Sequence, residues 1–110
     1  MPAMEEYNVV LTRIAKRQII GCYLYIVYEF KDPLAADSFL EDVNNTIDLL
    51  KFMPTGLPLC EDDNLKKEGY RIIHLKRHRY KLLYRIKKNR VVIDAIYHNL
   101  QKIKNSEGLF

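Results

Sequence analysis

Tryptophan is absent from this 110-residue chain, and glycine and proline occur only four times each. So few chain breakers leave room for regular structure and exclude collagen-like or low-complexity organisation. Two cysteines are too few for a disulfide-dense scaffold: Cys22 inside an apolar run and Cys60 in a loop read as reduced thiols of a cytoplasmic protein. No secretory leader is visible, because Pro2, Glu5 and Glu6 follow Met1 where a basic start and an apolar run belong. The greasiest stretch, Ile19 to Val27, is closed by Glu29 and Lys31. It falls far short of the roughly 20 apolar residues a membrane span requires, so no membrane partner is expected. The histidines and cysteines have no ligand-like spacing, and Glu61-Asp62-Asp63 lacks a calcium-loop pattern. Neither a glycine-rich phosphate loop nor a serine-nucleophile motif occurs, and no metal or cofactor is expected.

What is present is an apolar fraction of 48%, enough for one small globular domain over residues 1–110. The net charge of +4 hides a division: residues 1–65 carry five Lys or Arg against eleven Asp or Glu, and residues 66–110 carry thirteen against three. Local clustering sets the field a partner meets, so the C-terminal half is expected to bind a polyanion. Nucleic acid is the first candidate and an acidic protein segment the second.

The stretch from Gly69 to His98 alternates apolar residues with cations at period two, the pattern of half-buried strands. Strands are predicted at about Tyr70–Leu75, Arg79–Ile86 and Val91–Tyr97. In the middle one Tyr80, Leu82, Tyr84 and Ile86 would face a core, and Arg79, Lys81, Leu83 and Arg85 the other side. A reversal is expected at Lys88-Asn89, with Asn tolerating left-handed backbone. The last strand is apolar on both sides and is expected to lie centrally.

Upstream, Tyr7–Leu11 reads as a short strand, and Thr12 as the cap of a helix running to about Glu29. Ala15, Ile19, Cys22 and Ile26 form that helix's inward stripe. Ile20, Leu24, Val27 and Tyr28 are more apolar surface than a helix packed on one side needs. Asp32-Pro33 starts a second amphipathic helix, about Leu34–Phe52, with Phe39, Leu40, Val43, Ile47 and Leu50 inward. Cys60–Glu68 reads as a solvated loop, and residues 99–110 as a short helix or tail. The fold class is therefore α+β: an N-terminal strand, an antiparallel helical hairpin, then a three-stranded antiparallel meander. Helices would cover one face of the sheet and leave the other concave and basic.

Seven pieces in order carry a resemblance: YNVVLT at Tyr7–Thr12, YLYI at Tyr23–Ile26, DPLAADSFL at Asp32–Leu40, LKFMPTGLP at Leu50–Pro58, GYR at Gly69–Arg71, YKLLYRI at Tyr80–Ile86 and VVIDAIYH at Val91–His98. Together they resemble the RelE/ParE family of toxins from bacterial toxin–antitoxin systems. The resemblance implies one of two activities. RelE-like members cleave messenger RNA on the ribosome without metal, and ParE-like members poison DNA gyrase. It also implies a cognate antitoxin whose C-terminal segment wraps the toxin in a hetero-oligomer. The family's closing motif continues after the histidine with glycine, two arginines and aspartate. Here Asn99, Leu100, Gln101 and Lys102 stand instead, and the arginine pair is missing.

Carried onto this chain, the ribonuclease set is Arg71, Lys76, Lys81 and His98. Cations would hold the phosphate, and His98 or His78 would move protons near neutral pH. Arg77, His78, Arg79, Arg85 and Lys102 are candidate nucleic-acid contacts, and Tyr97 or Tyr80 a stacking platform. Ile20, Leu24 and Tyr28 are the candidate antitoxin surface, where an acidic, partly disordered segment would bury them. The coexistence of His98 with strand-borne cations tilts the sequence reading to a ribosome-dependent endoribonuclease. Gyrase inhibition, or a non-catalytic antitoxin-binding role, stands as the alternative.

Overall fold

The structure is a computed structural model that describes residues 6–103. The leader reading at Met1–Glu5 and the tail reading beyond Ile103 lie outside the described residues. In chain order the elements are β1 (Asn8–Leu11), α1 (Arg13–Tyr28), α2 (Pro33–Phe52), a 3₁₀ turn (Pro54–Gly56), α3 (Asp63–Lys67), β2 (Arg71–His74), β3 (Tyr80–Lys87) and β4 (Arg90–His98).

Both long helices start where side chains can satisfy orphan amides. The Thr12 hydroxyl accepts from the Ala15 N–H at 3.1 Å and donates to the Asp94 carbonyl at 3.0 Å, so the cap also ties α1 to β4. Asp32 accepts from the Ala35 N–H at 3.0 Å, with Pro33 in the first turn of α2. The sheet order is β1-β4-β3-β2, with β1 parallel to β4 and the other pairs antiparallel. The doubly apolar last strand is central, as its composition predicts. Among the described residues no helix is long and apolar enough to cross a membrane.

The main core lies between helices and sheet. Ala15, Ile19 and Ile26 of α1 and Ala36, Phe39, Val43 and Leu50 of α2 pack on Leu82, Tyr84, Val91, Ile93 and Ile96. The expected parity of β3 holds: Leu82 and Tyr84 face this core, and Leu83 faces away.

The second face is not the open basic surface that alternation predicts. Leu83 and Ala95 there are sealed by Cys60, Leu65 and Tyr70, with Ile72, Tyr97 and Ile103 around them. The acid-rich segment expected to be a solvated loop supplies this plug. Asp62 accepts from the N–H groups of Asn64 and Leu65, both at 3.0 Å, and starts α3, which turns Leu65 into the cluster. Gly69, at a φ of 80°, makes the tight passage into β2.

Two backbone details complete the frame. Lys88-Asn89 joins Lys87 to Arg90 as expected, but it is Lys88, at a φ of 57°, that takes the left-handed conformation. In β4 the register steps from Leu83↔Ala95 to Tyr84↔Ile93, so Asp94 is the extra residue of a β-bulge. The bulge puts Asp94 on the side of Arg85.

Candidate functional site

The β2–β3 loop, 75–79, is organised by Asp42, a residue that sequence reasoning passed over. Asp42 stands three after Phe39 and one before Val43, so helical periodicity turns it inward, and it is 3% exposed. A buried carboxylate without partners is costly. Here the N–H groups of Lys76, Arg77 and His78 donate to it at 3.3, 2.9 and 2.9 Å. The His78 Nδ1 lies 2.7 Å from the same carboxylate. An ionised carboxylate only accepts, so Nδ1 carries the proton of that bond. Burial opposes ionisation of Asp42, but these bonds and the His78 charge outweigh it and hold its pKa below the ordinary value. The backbone of the loop is thereby pinned to α2, while the side chains of Lys76, Arg77 and Arg79 are exposed.

The four residues expected to form a catalytic set do not share one face: Lys81 and His98 both meet the turn after β4, whereas Arg71 lies elsewhere on the sheet. Arg71 is the cross-strand partner of Tyr84 and shares the helix-facing side, where its guanidinium donates to the Leu57 carbonyl. Lys81 is opposite Tyr97 on the other face. Its ammonium donates to the carbonyls of Asn99 at 3.1 Å and Gln101 at 2.9 Å, closing the turn after β4. His98 sits edge-on to Tyr80 with ring centroids 5.5 Å apart, and its Nδ1 accepts from the Leu100 N–H at 3.2 Å. Lys76 belongs to the pinned loop. The sheet itself separates Arg71 from Lys81.

The expected nucleic-acid contacts divide as well. Arg77, His78 and Arg79 share one loop with Lys76. Arg85 instead lies against the second face, its Nε 3.3 Å from Asp94 and its guanidinium 5.1 Å from the centre of the Tyr70 ring. Lys102 is exposed after the C-terminal turn. Tyr80 packs on Phe39 with centroids 5.1 Å apart, and Tyr97 borders the second-face cluster. On α1, Ile20, Leu24 and Tyr28 are 57%, 43% and 71% exposed, one stripe at four-residue spacing. Phe30, past the end of α1, is also exposed and sits edge-on to Tyr25 at 5.3 Å.

A family profile described as ParE toxin of type II toxin-antitoxin system, parDE, matches residues 9–103. The chain belongs to the ParE toxin family. It is thus a toxin of a type II toxin–antitoxin system, within the wider RelE/ParE group. Among solved structures it is similar to the chromosomal ParDE system from P. aeruginosa, with a TM-score of 0.68 and 19% identity, covering 86% of this chain and 97% of that one. It is also similar to the toxin–antitoxin complex RelBE2 from Mycobacterium tuberculosis, with a TM-score of 0.61 and 22% identity over 92% and 100% of the two chains. At such identities the likeness is one of fold. A search of curated proteins found no match.

In this ParE-family chain the residue that the sequence reading missed had a signal. An Asp in phase with Phe39, Val43 and Leu50 marks a buried carboxylate whose donors must come from another element. Asp94 had none, because a bulge leaves no trace in the alternation of one strand.

Proposed function

We propose that this toxin disables DNA gyrase by binding it, and that a cognate antitoxin holds it silent. The observation that carries this reading is the separation of Arg71 from Lys81, two cations that RNA cleavage would need at one phosphate. Metal-free cleavage requires a base at the 2′-hydroxyl, a cation at the phosphoryl oxygens and an acid at the leaving oxygen, all within reach of one phosphate. Arg71 and Lys81 lie on opposite faces, and each is bonded to backbone carbonyls. The His98 Nδ1 accepts a local amide. The match to the ParE profile supports the same reading.

The antitoxin part rests on the exposed stripe of Ile20, Leu24 and Tyr28, a row of apolar anchors such as a partner segment buries. The two similar solved structures are themselves toxin–antitoxin systems. An acidic segment would meet the cations of the C-terminal half, and both target and antitoxin would be met in the cytoplasm.

Brief expression of the wild type, with parallel readouts of gyrase-linked DNA breaks and messenger RNA ends, tests the target. DNA breaks with unchanged RNA ends are expected. New ribosome-dependent RNA ends that vanish in Arg71→Ala or His98→Ala would restore the ribonuclease reading. Normal growth with folded protein would point to a non-catalytic, antitoxin-binding member. For the antitoxin, Ile20→Glu with Leu24→Glu should weaken the complex by about 30-fold or more, the loss of a central anchor. Unchanged affinity would remove the stripe from the interface.

A further inference from the structure

We propose that the 76–79 loop is a shape-fixed clamp for the phosphate backbone of duplex DNA, with Asp42 as its positioning residue. The choice of DNA rests on the gyrase reading, since gyrase is an enzyme that holds DNA. The loop's form rests on geometry alone.

Three successive N–H groups, those of Lys76, Arg77 and His78, turn inward onto one carboxylate. The inward amides fix the backbone, and the charged ends of Lys76, Arg77 and Arg79 are left outside. Cations on a mobile loop lose conformational freedom when they bind; cations on a pinned turn lose less. The carboxylate does not repel an incoming anion as a bare one would, because four donors already surround it.

Beside the loop is a cavity of about 210 Å³ lined by Asp42, Asn45, Thr46, Leu49, Lys76 and Arg77. It is below the roughly 300–1,000 Å³ of sites that enclose organic ligands, so the loop is not the rim of a small-molecule pocket. Asn45 is exposed on its wall and offers an amide donor. An acidic peptide fits less well. From Lys76 to Arg79 the loop has no apolar side chain, and Leu49 is a single exposed apolar wall where peptide recognition uses several anchors.

The test measures binding of the full-length toxin to a fluorescein-labelled 20-base-pair duplex by anisotropy across a salt series. Arg77→Ala and Arg79→Ala, both at exposed positions, should each weaken binding by about five- to tenfold. Each should also lower the slope of log affinity against log salt by about one. Asp42→Asn separates position from charge. It raises the net charge by one, so electrostatics alone predicts tighter binding, whereas loss of the clamp's shape predicts weaker binding, with circular dichroism confirming the fold.

Tighter or unchanged binding by folded Asp42→Asn overturns the positioning role. Unchanged slopes in both arginine variants overturn the clamp, whatever the fate of Asp42→Asn. Equal competition by poly-glutamate at matched charge overturns DNA as the ligand and assigns the loop to a protein partner. Gyrase-linked breaks scored separately keep the two proposals apart. Breaks without loop-dependent DNA binding sink the clamp only; loop-dependent DNA binding without breaks sinks the gyrase reading only.

Discussion

Asp42 and Asp94 are both buried, one in the middle of α2 against the β2–β3 loop and one on the face of the sheet away from the helices. Their environments push them in opposite directions. Asp42 collects three backbone N–H groups and the imidazole of His78, and its pKa is lowered. Asp94 sits in a bulge with Arg85 Nε at 3.3 Å, and neither its Oδ2 nor that nitrogen forms a well-aligned hydrogen bond. Burial therefore dominates, and its pKa is raised despite the nearby Arg85 charge. The lesson is that burial raises a carboxylate's pKa unless enough donors are aimed at it to outweigh the cost, as they are at Asp42 and are not at Asp94.

The two groups contribute to stability with opposite signs against pH. The stabilisation from Asp42 is present above its unfolded pKa near 3.8 and is lost as pH falls through its lower folded pKa. The contribution of Asp94 is fully present below that same unfolded value of 3.8 and is lost as pH rises through its higher folded pKa.

The largest expected effect comes from breaking the better-served site. Asp42→Ala should cost about 2–4 kcal/mol at pH 7 by urea unfolding, since it orphans three amides and an imidazole at once. The cost should shrink towards pH 3. A cost independent of pH would mean that the carboxylate's charge is not what those donors read.

Asp94→Asn should stay within about 1 kcal/mol of wild type at pH 7 and compare better with wild type as pH rises from 3 to 6. A loss as large as that at Asp42 would erase the contrast. The smallest expected effect repeats the comparison with two phenols whose pKa values burial pushes up to about 12. The Tyr84 hydroxyl donates to the Pro54 carbonyl at 2.7 Å, whereas the Tyr70 hydroxyl lies beside the Asp94 carboxylate without a well-aligned hydrogen bond. Tyr84→Phe should cost about 1 kcal/mol and Tyr70→Phe close to nothing. Ultraviolet titration should lose a late-ionising phenol in each variant.

The expected candidate site was legible in the sequence as a list of residues but not as an arrangement. Period two assigned Lys81 and Arg85 to one face of β3, and there they lie, yet it said nothing of what else would cover that face. The plug formed by Cys60 and Leu65 comes from a segment whose acidic run looked solvated, because one apolar residue in a polar stretch gives no periodic signal. Arg71 was legible as a cation after Gly69-Tyr70. Its bond to the Leu57 carbonyl was not, since those residues are remote in sequence and meet only when the loop folds back on β2. The surplus apolar stripe on α1 could be read directly, because a helix shows its outer face in its own spacing.

Local chemistry written in the chain thus determined the elements and their order. Caps at Thr12 and Asp32, the 3.6-residue stripe of α2 and the two-residue alternation of β3 each act within a few residues. Tertiary structure decided which cations are free and which are committed. That choice depends on partners 9 to 36 positions away, from the Asp94 carboxylate at Arg85 to the Asp42 carboxylate at His78. A charge declares its sign in sequence, but the groups that satisfy it are set by the packing of distant segments.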